Sequence, residues 1–269
     1  LAVDVRSPRF SLSYWATRNR FGALVETHSW QQYPRRVAAT RATIHAMVEL
    51  AARDGTKWLE AARAADERAR KLGGKPVALS FRNTDAVRTV ELRGYEYTRE
   101  PSAVSGQPWI RYDSTRPTTW RLPLRYDVQP ALTVTAPATG YFVPSAHAAW
   151  MSEKLALHGV EFKRVIAPQP ASTVQTFRAD GTTTAAETFE GRPVMTVDGA
   201  WRDEKRDIGA GALFVPIAQP KARLVMSLLE PQAPDSFVSW GYFSTAFERK
   251  EYMENYVTEA VARQMLSQD

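Results

Sequence analysis

The sequence contains no cysteine, no long apolar run and only 4 histidines. The absence of cysteine excludes disulfide bonds and thiolate metal sites, but it leaves the compartment open, because many periplasmic proteins also lack cysteine. No apolar run approaches the ~20 residues of a membrane-spanning helix, and no amino-terminal signal peptide is visible. We therefore predict no membrane span. A periplasmic or secreted location is favoured over a cytoplasmic one.

The net charge of +6 makes nucleic acid a partner to consider, because basic clusters attract phosphate. The basic residues form two clusters, which are Arg18, Arg20, Arg35, Arg36 and Arg41, and then Arg63, Arg68, Arg70 and Lys71. Glu60, Asp66 and Glu67 alternate with the second cluster on a predicted helix, which indicates a solvated face. No basic stripe carries interleaved aromatic residues and no nucleic-acid motif is present. Nucleic acid is therefore not a predicted partner.

The first third of the chain is predicted to be helical. A helix over residues 34–53 begins at Pro34, which suits a first turn, and Asp54-Gly55 is predicted to break it. A second helix over residues 56–72 ends at the run Gly73-Gly74-Lys75-Pro76. The 269 residues suffice for two modest domains. We place the boundary at this run, between domains at residues 1–75 and 76–269.

The second domain is predicted to be rich in β-strands, because its apolar residues change from a helical period to a period of two. The candidate strands are 77–81, 88–97, 109–112, 118–122, 131–135, 162–166, 174–178, 183–189 and 194–197. Prolines separate several of them, which favours antiparallel sheet. Together with the helices, this pattern predicts an α+β fold.

Two strand–helix units share the tripeptide Phe-Val-Pro. The strand 140–144 leads into a helix near residues 146–157, and the strand 211–215 leads into a helix near residues 219–229. Each short apolar strand is followed directly by a helix that needs a sheet face to cover. We predict that the two strands lie in one sheet, as parallel neighbours joined by helical crossovers.

A carboxylate follows the apolar run 21–25, which is predicted to be a strand. In open α/β sheets, ligands and chemistry gather at the carboxyl ends of strands. Glu26 is therefore a candidate general base or acid. The alternative is a structural role, in which Glu26 caps the strand or pairs with a nearby arginine.

The surrounding residues resemble one enzyme family. The matching positions are Tyr14, Arg18-Asn19-Arg20, Val25-Glu26-Thr27-His28-Ser29 and Tyr33-Pro34-Arg35-Arg36. Over roughly residues 9–75 they resemble the last part of the catalytic domain of M14-type zinc carboxypeptidases, in a bacterial subset with Glu-Thr-His-Ser. The tail segments 228–231 and 234–243 resemble the region appended to those proteins. In that tail, Asp235-Ser236 either lines a substrate groove or anchors a loop.

The resemblance implies a fold and an activity. It implies the carboxyl-terminal strand–helix part of an α/β carboxypeptidase-like domain, followed by a β-rich accessory domain. The reaction would be hydrolysis of a peptide or related amide bond near a free carboxylate, in which zinc polarises the carbonyl and activates water. Glu26 would be the catalytic base, and Tyr14 and His28 would shape the substrate pocket.

The zinc ligands of the family are not found in this sequence. The family uses His-x-x-Glu and a later histidine, all before the catalytic glutamate, whereas no histidine here precedes Glu26. The chain also opens on Leu1, so we expect it to be the carboxyl-terminal part of a longer polypeptide, inactive alone. His158-Gly159-Val160-Glu161 imitates the motif, but Gly159 is typical of a helix end, so His158 is interpreted as a helix-terminal residue.

A non-catalytic function is the alternative. On that hypothesis the chain is a binding or structural module, Glu26 is structural, and the arginine-rich region around the first helix binds an acidic partner. The encoded sequence before Leu1 distinguishes the two hypotheses, because only the enzyme requires a His-x-x-Glu and a further histidine there.

Overall fold

The fold is mixed: of the residues that the structure describes, 31% lie in helices and 38% in strands. The computed structural model describes residues 1–28, 31–248 and 253–267. Its helices are α1 (Ser11–Thr17), α2 (Tyr33–Ala69), α3 (Ser145–Leu157), α4 (Ala222–Leu229) and α5 (Asn255–Leu266). Its strands are β1 (Pro76–Asn83), β2 (Val87–Pro101), β3 (Pro108–Arg125), β4 (Val128–Thr135), β5 (Gly140–Val143), β6 (Lys163–Arg164), β7 (Gln169–Phe189), β8 (Arg192–Ile208) and β9 (Leu213–Pro216). The predicted combination of helices and strands is confirmed.

The chain divides into two units. The first comprises Leu1–Ser172 and Asp207–Ser227, and the second comprises Thr173–Arg206 and Leu228–Asp269. The boundary predicted after residue 75 falls inside the first unit. The helix α2 and the strands β1 to β6 therefore belong to the same unit.

The core of the first unit surrounds a sheet with the strand order β5-β9-β6. Both Phe-Val-Pro strands lie in it, as predicted, and Phe142 is paired with Phe214 with ring centroids 5.1 Å apart. The predicted parallel pairing is wrong, because β9 is antiparallel to both neighbours. The strands β5 and β6, which are joined through α3, are separated in the sheet by one strand position. The strand β9 occupies that position and runs in the opposite direction to both.

A buried glutamine connects the end of β9 to the chain that enters β6. The Gln219 side chain is fully buried. Its Oε1 accepts a hydrogen bond from the Glu161 amide at 2.9 Å, and its Nε2 donates to the Glu161 and Pro216 carbonyls at 3.1 and 2.7 Å. One carboxamide thereby pairs three backbone groups whose burial would otherwise be costly.

Two antiparallel ribbons extend the first unit, β1 with β4 and β2 with β3. The candidate strands 109–112 and 118–122 are parts of one strand, β3, which continues through Pro117 and Pro123. An edge strand tolerates proline where the missing N–H would face outwards. The rings of Tyr97, Tyr112 and Trp120 lie 5.9–6.0 Å apart and stabilise a two-stranded ribbon that would be marginal alone.

Two other predictions in the first third are wrong. The helix α2 is continuous for 37 residues, because a single glycine, Gly55, costs only about 1 kcal/mol in a helix. Asp54 accepts hydrogen bonds from Arg53 and Lys57 within that helix. Residues 21–25 do not form the predicted strand, because no strand among the described residues supplies the backbone partners that a strand requires.

The second unit has its own small core. Met195, Val197 and Val238 are buried, and Phe177, Phe243 and Phe247 pack against them. In the following loop, the Ser236 side chain is fully buried; its hydroxyl donates to the Pro231 carbonyl and accepts from the Ser239 amide. Of the two interpretations of Asp235-Ser236, the structure therefore supports the anchoring of a loop.

We expect Gln219→Leu to lower the free energy of unfolding by about 2–3 kcal/mol, because both backbone groups of Glu161 lose their partner. Urea unfolding followed by circular dichroism measures the change. Gln169→Ala is the control, since Gln169 is exposed and its side chain should be nearly neutral. Equal stability of the Gln219 variant and the wild type would contradict this role.

Candidate functional site

The segment with the predicted catalytic glutamate lies along α2. Arg20 forms a two-pronged ion pair with Asp66, with both N–O distances 2.9 Å. The Phe21 ring lies 5.9 Å from the Trp58 ring, and the Arg36 Nε donates to the Thr27 hydroxyl at 3.4 Å. As the segment advances, its contacts move towards the start of α2. Residues 20–28 therefore run antiparallel to the helix.

The Arg20–Asp66 pair fixes the start of this segment. The hydrogen bonds from Arg20, and then that from Asn19, lower the pKa of the Asp66 carboxyl, so Asp66 remains charged. Asn19 adopts a left-handed backbone conformation with φ 57°. Its amide donates to Asp66 at 3.1 Å and to the Pro220 carbonyl at 2.9 Å. Asn19 therefore links α2 to the chain that enters α4.

Glu26 lies exposed on the irregular segment that replaces the predicted strand. In the part of the chain that the structure describes, its carboxylate forms no hydrogen bond and no ion pair. His28 is also exposed, and its backbone carbonyl accepts from the Gln31 amide at 3.1 Å. Ser29, the last residue of the Glu-Thr-His-Ser string, lies outside the described residues. Glu26 is therefore accessible to solvent.

Tyr14 is occupied by contacts that the sequence did not indicate. Its hydroxyl lies 2.9 Å from the Nδ1 of His158 and accepts a hydrogen bond from Arg18 at 3.2 Å. The Arg18 guanidinium also lies over the Tyr14 ring, 5.4 Å from its centroid. The described contacts thus join Tyr14 to His158 and Arg18. No sequence signal could have found the pairing with His158, because 144 residues separate the two.

His158 ends a helix, as predicted. It follows the last residue of α3, and Gly159 turns the chain away with φ 63°. Burial lowers the pKa of its imidazole, and the charges of Arg18 and Lys154 lower it further. The Nδ1 of a neutral His158 can accept a hydrogen bond from the Tyr14 hydroxyl. His158, the first residue of the string that resembles a zinc motif, therefore forms a contact between α1 and the end of α3.

An apolar groove lies beside Thr27, which directly follows Glu26. Its volume is about 570 Å³. The residues that line it are Thr27, Tyr33, Arg36, Val37, Thr40, Arg41, Ile44, His45 and Val48. All but Thr27 come from the first turns of α2, and several are large apolar side chains open to solvent, with Val48 63% and Ile44 56% exposed. An apolar surface of this kind is typical of a face that packs against other protein.

The stability of the first unit should depend on the protonation of His158. Because folding lowers its pKa below the ordinary 6.5, the unfolded chain binds the proton more tightly, and stability should fall as the pH drops below 6.5 towards the folded pKa. Urea unfolding at a series of pH values measures this. His158→Asn should reduce the slope over that range, whereas Gln169→Ala, which removes no titratable group from an exposed position, should leave it unchanged. Equal slopes for the His158 variant and the wild type would contradict the prediction.

Neither metal ligation nor similarity to known proteins identifies the function. Among the described residues, no group of three or more His, Cys, Asp and Glu side chains could hold a metal ion. In the same residues, no helix combines the length and apolar character needed to cross a bilayer. No protein-family model matches the chain, and no curated protein or solved structure is significantly similar to it. Function must therefore be inferred from the residues and contacts of the chain itself.

Proposed function

We propose that this chain is the carboxyl-terminal part of an M14-like zinc carboxypeptidase, with Glu26 as its general base. The enzyme would hydrolyse a peptide or related amide bond near a free carboxylate. The proposal starts from the residue string around Glu26 and from the long helix that follows it. Two properties of the folded chain support it: the free carboxylate of Glu26, and the uncovered apolar surface on both sides of that residue.

The free carboxylate of Glu26 carries the proposal. A structural glutamate in an arginine-rich region would be expected to form an ion pair, as Asp66 does with Arg20. Glu26 instead forms no ion pair or hydrogen bond with any residue within 1–28, 31–248 and 253–267. A general base must be free to accept a proton from a reacting group. This state therefore fits the catalytic interpretation better than the structural one.

The uncovered apolar surface supports a role as part of a larger catalytic unit. Phe21, Leu24 and Val25, which precede Glu26, are 64%, 57% and 39% exposed. Apolar side chains beside a predicted active site are normally buried against protein. The upstream half of the catalytic domain would supply that protein.

The chemistry proposed for this chain is that of Glu26. The carboxylate would take a proton from the attacking water and pass it to the leaving amine, so that its charge is restored after each turnover. His28, two residues further on, is the candidate substrate contact, and the role of Tyr14 in the substrate pocket stays a prediction. The described residues do not fit a zinc site, so the zinc ligands would belong to the upstream half.

The test uses the polypeptide that carries this chain together with its encoded upstream sequence. Glu26→Gln removes the base but keeps the size of the side chain, so turnover of peptides with a free carboxyl terminus should fall by at least about 10²-fold. Zinc content by atomic absorption should stay unchanged. Glu60→Gln is the matched control, since Glu60 is exposed on α2, and it should retain full activity.

The opposite outcomes separate the two hypotheses. Full hydrolysis by the Glu26→Gln variant would remove Glu26 from the mechanism. An upstream sequence without His-x-x-Glu and a further histidine would exclude the zinc carboxypeptidase. It would favour the alternative of a non-catalytic module with an arginine-rich surface for an acidic partner.

A further inference from the structure

A basic cavity lies where the end of α2 meets the start of α4. Its volume is about 350 Å³, and it is lined by Asn19, Ala65, Arg68, Ala69, Lys71, Leu72, Lys75 and Arg223. Four of these eight residues carry a positive charge, and none carries a negative charge. All of them belong to the first unit. The cavity contains neither Glu26 nor the other residues of the proposed active site.

The acidic residues near the cavity have other partners. The sequence places Asp66 and Glu67 among the basic residues of α2, a pattern that indicated a solvated face. In the structure, Asp66 pairs with Arg20 at 2.9 Å and Glu67 pairs with Arg70 at 3.4 Å. Among the described residues, none of the four cavity cations forms an ion pair or a side-chain hydrogen bond. These four residues are exposed to solvent, and no carboxylate among the described residues pairs with them.

Interactions with helix dipoles explain the positions of only some of these positively charged residues. Arg68 and Lys71 lie at the carboxyl end of α2, where a positive charge is favourable. Arg223 lies in the first turn of α4, where a positive charge is unfavourable. Arg223 also adds a fourth like charge to the lining of the cavity. An anion bound between the two helices would compensate both effects.

The backbone that carries the cations is held in place without a ligand. The Lys75 amide donates to the Leu72 carbonyl, and the Lys75 carbonyl accepts from the Ala136 amide, each at 2.9 Å. Gly74 makes this turn possible with φ 71°. Asn19 fixes the approach to α4 through the Pro220 carbonyl. The backbone around the cavity is therefore fixed before binding, which lowers the entropic cost of taking up a ligand.

We propose that this cavity binds a compact anion with at least two negative charges, either a phosphorylated compound or a polycarboxylate. Two guanidinium groups offer paired N–H donors that match phosphate or carboxylate oxygens, and two ammonium groups add point charges. The volume admits an anion larger than inorganic phosphate. The absence of any carboxylate from the lining excludes a preference for cations.

The experiment is isothermal titration calorimetry of the purified chain with inorganic tripolyphosphate and, separately, with citrate. We expect one site with a Kd below roughly 1 mM at about 0.15 M salt, weakened further by added salt. Arg68→Gln and Arg223→Gln should each raise the Kd by about tenfold, the usual effect of losing a charge-assisted hydrogen bond. Tighter binding of tripolyphosphate would assign a phosphorylated ligand, and tighter binding of citrate a polycarboxylate.

Arg63→Gln is the matched control. Arg63 is exposed on the same helix and its loss changes the net charge equally, but it does not line the cavity. Its Kd should stay within about twofold of the wild type. Circular dichroism shows that each variant is folded. Binding of neither anion, or equal weakening by Arg63→Gln and Arg68→Gln, would overturn the proposal. Because the test involves no hydrolysis, its failure would leave the proposed role of Glu26 unaffected.

Discussion

The burial of one carboxamide determines how the first unit is assembled. Gln219 cannot leave its site without exposing or orphaning both backbone groups of Glu161 and the carbonyl of Pro216. Its position therefore fixes the chain between β9 and α4 relative to the chain that enters β6. The next residue, Pro220, accepts the hydrogen bond of Asn19. The same turn thus determines where α4, Arg223 and the end of α2 lie relative to one another.

Local sequence patterns predicted most of the elements and placed the two Phe-Val-Pro strands in one sheet, but they did not predict the direction in which these strands pair. The helix at Ser145–Leu157 and the strands at Pro76–Asn83 and Val128–Thr135 are found where their periodicity placed them. The direction of β9 was predicted wrongly, because a crossover helix specifies the direction of the strands that it joins but not which strand enters between them. The region 21–25 has the composition of a strand, but composition cannot supply the neighbouring strand that such a segment needs.

The candidate sites likewise differ in whether residues close together or far apart in the sequence form them. Glu26 was identified because its neighbours in the sequence are distinctive. The basic cavity was missed, because charges that alternate along a helix usually neutralise each other. Asp66 pairs instead with Arg20, which is 46 residues away in the sequence. The hydrogen bond between Tyr14 and His158 likewise joins groups that no spacing rule connects.

The central position of β9 has a consequence for the order in which the first unit folds. The strands β5 and β6 both pair with β9. The strand β9 begins at Leu213, after β7 and β8, which pair with each other as a hairpin, have been synthesised. The ribbon β2–β3 joins residues that lie nearer in the sequence and can form earlier, because short-range contacts require less loop closure. On the ribosome, the edges of β5 and β6 therefore stay open until the hairpin has emerged. Rapid closure of that hairpin shortens the time during which these edges can pair with another chain.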